Sequence, residues 1–143
     1  MRQLFTIIIL LISMKSYCNS LTKFDTISYW KIYRNSKLIK EGTLSNKKER
    51  IELYKKTIRV LDTLHIKYFE DTPCVKCNSN FIIKTEKGKE IKTIQSNKNQ
   101  YSLKLETTEL QVLAFKNKSS ILKLYFKEDD KTESILLFEF EIK

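Results

Sequence analysis

The chain has 143 residues, of which 41% are hydrophobic, 31% charged and 11% aromatic, a globular rather than disordered composition of a size suited to one domain. With one His, two Gly and one Pro, it excludes a Gly-rich phosphate loop, a multi-His metal site and a Pro-rich segment, so no cofactor and no metal are expected. The net charge of +10 arises from 23 Lys against 4 Arg, and because Arg supplies the bidentate contacts to bases and phosphates, nucleic acid is not the expected partner.

The N-terminus opens with Met1-Arg2-Gln3 and then an apolar run from Leu4 to Ile12 broken only by Thr6. That layout predicts a secretory signal peptide over residues 1–18. A bilayer span takes roughly 20 apolar residues, and Ser13, Lys15 and Ser16 end this run too early for one. The small pairs Ser16/Cys18 and Cys18/Ser20 place the mature start near Asn19 or Leu21. The alternative is a lipid-modified Cys18, which would give an outer-membrane lipoprotein, although Lys15 and Tyr17 are poor upstream residues for that processing. A periplasmic or secreted location is expected. From Asn19 onward the chain keeps 25 basic and 17 acidic residues, or +8, and two cysteines, Cys74 and Cys77. Outside the cytoplasm such a pair is expected to be oxidised.

From Thr26, the sequence TISYWKIYR predicts a strand covered on both faces, with Ile27, Tyr29 and Tyr33 on one and Trp30 and Ile32 on the other. Asn35-Ser36-Lys37 is a turn signal, and Leu38 to Leu44 returns as the partner strand. Asn46 to Leu61 supports two readings. Ile51, Tyr54, Ile58 and Leu61 fall at helical spacing, with Asn46 as cap and Glu49 at the capping-box position. The preferred reading, because the surroundings are β, is a strand around Ile51 to Tyr54, then a turn. Asp62 to Asp71 sets Leu64, Ile66 and Tyr68 against His65, Lys67 and Phe69, a strand with one wet face.

Phe81 to Lys87 and Lys89 to Ser96 flank Gly88 as a hairpin in which Gly takes positive φ. Thr107 to Phe115 predicts one short helix capped by Thr107, with Leu110, Leu113 and Ala114 on its face. Ile121 to Glu128 and Glu133 to Lys143 form a second hairpin around Asp129-Asp130-Lys131-Thr132. The acidic residues there, Glu128 included, lack EF-hand spacing and read as a solvated tip. The last strand is expected to bury Leu136, Phe138, Phe140 and Ile142 and to turn Glu139, Glu141 and Lys143 outward. Residues 19–143 are therefore expected to be a single all-β domain, an antiparallel β-sandwich of seven to eight strands, immunoglobulin-like in architecture, with one short helix near 107–115.

Candidate chemistry is confined to Pro73-Cys74-Val75-Lys76-Cys77. A redox dithiol wants a helix N-terminus to depress its first thiol, whereas Cys77 is followed by Asn78-Ser79-Asn80 and a strand. Zinc wants four ligands, and only the distant His65 adds to the two cysteines. The preferred reading is a local disulfide, worth about 2 kcal/mol by loop entropy. His65 has no serine or cysteine motif to serve and reads as a surface or half-buried imidazole. Asn117-Lys118-Ser119 is a glycan acceptor only in a host that glycosylates secreted proteins.

The stretch DTLHIKYFEDTPCVKC, Asp62 to Cys77, behind the aromatic strand ISYWKIY and closed by Leu136-Leu137-Phe138, resembles a group of small exported bacterial proteins of uncharacterised function. Asp71, Pro73, Cys74 and Cys77 are the matching loop positions. The resemblance implies a compact β domain outside the cytoplasm and no activity. The function expected is noncatalytic, by surface binding to a protein or envelope partner, with membrane contact only through lipid at Cys18. The alternative is thiol–disulfide exchange at Cys74 and Cys77.

Overall fold

Among the described residues, the period of the apolar side chains sets nine strands and one helix. The computed structural model describes residues 28–44, 49–59, 61–71, 74, 77–96 and 101–143. The strands are β1 (Tyr29–Arg34), β2 (Lys37–Thr43), β3 (Arg50–Leu53), β4 (Thr63–Phe69), β5 (Ser79–Thr85), β6 (Glu90–Gln95), β7 (Ser102–Glu106), β8 (Ile121–Glu128) and β9 (Ile135–Ile142), and helix α1 (Thr107–Lys116) joins β7 to β8. They form a four-stranded sheet, β2-β1-β4-β7, and a five-stranded sheet, β3-β9-β8-β5-β6. The molecule is an all-β sandwich with one short helix. The expected signal peptide, Cys18 and Pro73 lie outside the described residues.

The two sheets close on one apolar core. Trp30 and Ile32 of β1, Leu64, Ile66 and Tyr68 of β4, and Leu103 and Leu105 of β7 face Phe81 and Ile83 of β5, Leu122, Leu124 and Phe126 of β8, and Phe138 and Phe140 of β9. Aromatic contacts cross between the layers, Trp30 to Phe138 at 4.7 Å and Tyr68 to Phe126 at 4.6 Å between ring centroids. Helix α1 lays Leu110 and Ala114 against the same core.

Several expectations change here. The strand not foreseen is β7, whose five residues carry only two inward apolar side chains, Leu103 and Leu105. Strand β1 is covered on one face only, since Tyr29 on the other is 37% exposed. Pairing is antiparallel except at β3, which runs parallel to β9. In β9 an irregularity sets Leu136 opposite Tyr125 but Phe138 opposite Leu124. The extra residue, Leu137, is buried, and Leu136 leaves the inward row. Glu139 does lie out of phase with the core, yet it is only 3% exposed because Arg50 and Lys123 cover it.

Local rules explain the connections. Asn35 and Ser36 both have positive φ, 46° and 71°, the conformation of the two-residue turns whose twist matches paired strands. The segment after β3 is a single 3-10 turn, Lys55–Thr57, in accord with the strand-and-turn reading. Thr107 is not the cap of α1. Glu106 occupies that position without a side-chain bond, and Thr107 Oγ1 instead donates to the Asp62 carbonyl at 3.0 Å. The helix ends with Lys118 at φ 49° and with Lys118 and Ser119 amides returning to the Phe115 and Ala114 carbonyls, a Schellman arrangement built without glycine.

Gly42 of β2 sits opposite Trp30. A Cβ there would lie 2.5 Å from Trp30 Cζ2 and 2.9 Å from Cε2, so the indole occupies the space a side chain would need. Gly42→Ala should therefore displace the buried ring and lower the unfolding free energy by about 1–3 kcal/mol. Denaturant titration followed by Trp30 fluorescence measures this; unchanged stability and emission would show that the wedge does not constrain the fold.

Candidate functional site

Two inward rows end on acids at the same end of the sandwich. On β4 the series Leu64, Ile66, Tyr68 continues in phase to Glu70, and on β8 Leu122, Leu124, Phe126 continues to Glu128. Their side chains are 8% and 1% exposed. Buried carboxylates require partners, and the β8–β9 turn supplies one: Lys131 Nζ lies 2.6 Å from Glu70 Oε1 and 2.7 Å from Glu128 Oε2. Tyr101, just before β7, donates its hydroxyl to Glu128 Oε1 at 2.7 Å. Its ring packs 4.8 Å from that of Phe126. Glu128 is thus a buried hub and not part of a solvated tip. Asp129 and Asp130 remain exposed, Asp129 accepting from Asn80 Nδ2 at 3.2 Å.

The cysteine loop rests on this cluster. Cys74 and Cys77 form a disulfide with Cα atoms 5.5 Å apart, and both residues are half-buried. The Tyr101 hydroxyl lies 3.4 Å from the Cys74 carbonyl, and the Asn78 carbonyl accepts the Asp129 amide at 3.0 Å. A carboxylate oxygen of Asp130 comes within 4.8 Å of both sulfurs. The sulfurs are bonded to each other and offer no thiolate to a metal. After Cys77 the chain enters β5 at Ser79, a strand and not a helix. Asp71 is exposed at the exit of β4.

The two carboxyls titrate in opposite directions. Burial, then the negative charge of Glu128, outweighs the bond from Lys131 and holds Glu70 above the usual carboxyl range. Burial also pushes Glu128 upward, but the bonds from Lys131 and Tyr101 and the Lys131 charge outweigh it and leave Glu128 low. The pair therefore keeps a proton on Glu70 more readily than on Glu128. Burial first, and then Glu128, raises the Tyr101 phenol, while the bonds to Glu128 and Glu70 raise Lys131.

The remaining candidates lie elsewhere. His65 is on the outer face of β4, opposite Tyr33 and Lys104. Burial and the charges of Lys67 and Lys104 lower its pKa. Asn117 Nδ2 donates to the Leu113 carbonyl at 2.9 Å, so the nitrogen of the sequon is engaged at the end of α1. The cluster of Glu70, Tyr101, Glu128 and Lys131 was not foreseen from sequence. The signal was present as an acid occupying the apolar phase at the end of each strand. The chain matches no protein-family model, no curated protein and no solved structure.

The opposite shifts give opposite pH signatures. Glu128, held low, adds stability above its unfolded value that is lost as pH falls through its folded one; Glu70, held high, adds stability at low pH that is lost as pH rises. Glu128→Gln should cost about 1–3 kcal/mol at neutral pH by leaving Lys131 underpaired, a deficit that grows as pH rises toward about 4 and is level above it. Glu70→Gln should instead improve relative to the parent as pH rises above about 4. Urea titrations at several pH values test this, and parallel profiles for the two variants would contradict the assignment.

Proposed function

We propose that the protein is a noncatalytic binding domain acting outside the cytoplasm, as a secreted or cell-envelope component, with the Cys74–Cys77 loop as a fixed feature of its surface. The observation that carries this reading is the electrostatic setting of the sulfurs. A nucleophilic cysteine needs its thiolate stabilised by a cation or a helix N-terminus. Here Asp130 lies within 4.8 Å of both sulfurs, a strand follows Cys77, and Lys131 is committed to Glu70 and Glu128. Each of these disfavours the thiolate. The signal-peptide layout, a disulfide best kept in an oxidising compartment, and the resemblance of Asp62 to Cys77 to small exported bacterial proteins support the location.

One feature favours thiol–disulfide exchange as a second reading: burial holds the Glu70 carboxyl above its usual range in the cluster on which the loop rests, and an acid shifted in that direction is a better proton donor to a leaving thiolate. Among the described residues, the first step, attack by a thiolate, has no cation committed to it. After reduction, Cys74 should react with iodoacetamide with an apparent pKa at or above the roughly 8.5 of a free thiol, and the protein should not accelerate insulin reduction by dithiothreitol. A Cys74 pKa below about 7 with turnover would install the redox reading. Intact-mass analysis from the native host should place the N-terminus near Asn19 or Leu21, or add an acyl group at Cys18; the full-length mass would remove export.

A further inference from the structure

Helix α1 is apolar on two opposite sides, and only one of them has a partner. Leu110 and Ala114 face the core, with Leu113 packed against it. Val112 and Phe115, three residues apart and about half a turn round, stand on the other side and are 49% and 86% exposed. Between this side and the end of β9 lies an open hollow of about 780 Å³. Ala114 and Ile142 form its buried floor, Val112 and Phe115 stand at its edge, and Lys55, Lys116 and Lys118 supply its cations. Gln111, Ser119 and Ser120 complete it, but Ser119 Oγ already donates to the Ile121 carbonyl at 2.6 Å and the Ser120 carbonyl already accepts the Ile142 amide at 2.8 Å.

The same end of the sandwich carries a second segment of this composition. After β3, Tyr54 and Leu61 are 48% and 89% exposed, and Lys55, Lys56 and Arg59 are exposed between them. The Lys55 amide on the Lys143 carbonyl at 2.8 Å fixes this segment to the end of β9, and the Thr107 amide on the Asp62 carbonyl at 2.9 Å fixes it to the start of α1. Among the described residues Lys55, Lys56, Arg59, Lys116 and Lys118 make no ion pair, whereas the acids Glu52 and Glu109 are held by Lys143 and Lys92. The acids left unpaired among them are Glu86, whose amide donates to Ser119 Oγ at 3.4 Å, and Glu106, just before α1. We infer that this end of the domain docks on an anionic lipid bilayer, with Phe115 and Val112 entering the boundary of the acyl chains and the surrounding lysines meeting headgroup phosphates.

The pairing of exposed apolar side chains with unpaired lysines selects this occupant. Protein interfaces are poor in Lys and anchored by Arg, Tyr and Trp in pockets, whereas here lysines surround an aromatic ring that stands out from the surface, the make-up of helices that lie in a membrane interface. Lys stems cover apolar surface while their amines reach phosphate. A second copy docked about a two-fold axis would set these cations against their own counterparts. A partner strand has no edge to join, because β9 is flanked by β3 and β8. Nucleic acid would leave the apolar hollow uncovered. A single acyl chain is bound by enclosing it, and Phe115, at 86% exposure, encloses nothing. The inference names the partner class of the binding domain proposed above and rests on that reading only in assigning no reaction to this end. It needs no lipid at Cys18, and it is independent of the disulfide loop, which lies beyond the far end of β8.

The test is a titration of the full chain with bicelles of phosphatidylcholine alone and of an equimolar mixture with phosphatidylglycerol, each carrying a spin-labelled lipid and observed by amide NMR. The apolar run from Leu4 to Ile12 can hold the chain on lipid by itself, so the readout is local. Val112, Phe115, Lys116 and Lys118 should broaden on the mixed bicelles, less so on phosphatidylcholine alone and less as salt rises, while His65 and Glu128 stay sharp. Phe115→Ala, and separately Lys116→Gln with Lys118→Gln, should each need at least about tenfold more lipid for the same broadening while melting no lower than the parent, because the altered side chains are exposed. Equal broadening without phosphatidylglycerol, broadening centred elsewhere, or an unchanged lipid requirement in either variant would overturn the proposal. So would a lipid-free dimer that shifts Phe115, which would assign the surface to a second copy, or tighter binding of a polyglutamate peptide to these residues, which would assign it to an acidic protein. None of these outcomes bears on the reactivity of Cys74.

Discussion

The fold is organised by the need to satisfy carboxylates that the strand period forces inward. On β4 the inward row that holds Leu64, Ile66 and Tyr68 begins at Asp62 and ends at Glu70, so an acid lies at each end of the central apolar series. An unpaired buried carboxylate costs more than a small domain can spare, and the loops are arranged to prevent it. The Arg59 amide, the Arg34 guanidinium and the Asn35 side chain all donate to Asp62, and in that order they hold its carboxyl down to about 2. Arg34 also reaches the Thr57 carbonyl at 2.6 Å, while the Asp62 carbonyl takes the amide and hydroxyl of Thr107. One acid thereby ties the β1–β2 turn, the segment after β3 and the start of α1 together.

At the opposite end the same problem has a different solution. Two acids share one lysine, and burial, with the charge of Glu128, holds the Glu70 carboxyl above its usual range. The disulfide loop lies over this acidic end, with Asp130 added from the turn. Lysines lie on both sheets, Lys31 opposite Lys67 on the four-stranded one and Lys84 opposite Lys123 on the five-stranded one. Among the described residues, the charged group that lies with the two sulfurs is thus an acid, Asp130.

What was legible in the sequence was whatever two-residue periodicity and turn chemistry encode. The hairpins at Asn35-Ser36, Gly88 and Asp129–Thr132, the wet and dry faces of β4, and the short helix all follow from local pattern. Strand β7 was not, because two apolar residues leading into a helix give too short an alternation. The phase shift at Leu137 and the parallel docking of β3 on β9 depend on pairing between distant segments, as does the burial of Glu139 under Arg50. The buried acidic cluster was only half legible. Glu70 and Glu128 stand in the inward phase of their strands, but nothing local shows that Lys131 and Tyr101 converge on them.

The central claim is that the acidic surroundings of the Cys74–Cys77 bond keep it a static staple. Thiolate stabilisation makes a disulfide oxidising, and carboxylates beside the sulfurs act in the opposite sense. The most direct measurement is the reduction potential of this pair, by equilibration with a dithiothreitol redox buffer and mass-resolved alkylation. The account predicts a value below about −300 mV. A value above roughly −230 mV, within reach of the glutathione pool, would contradict it.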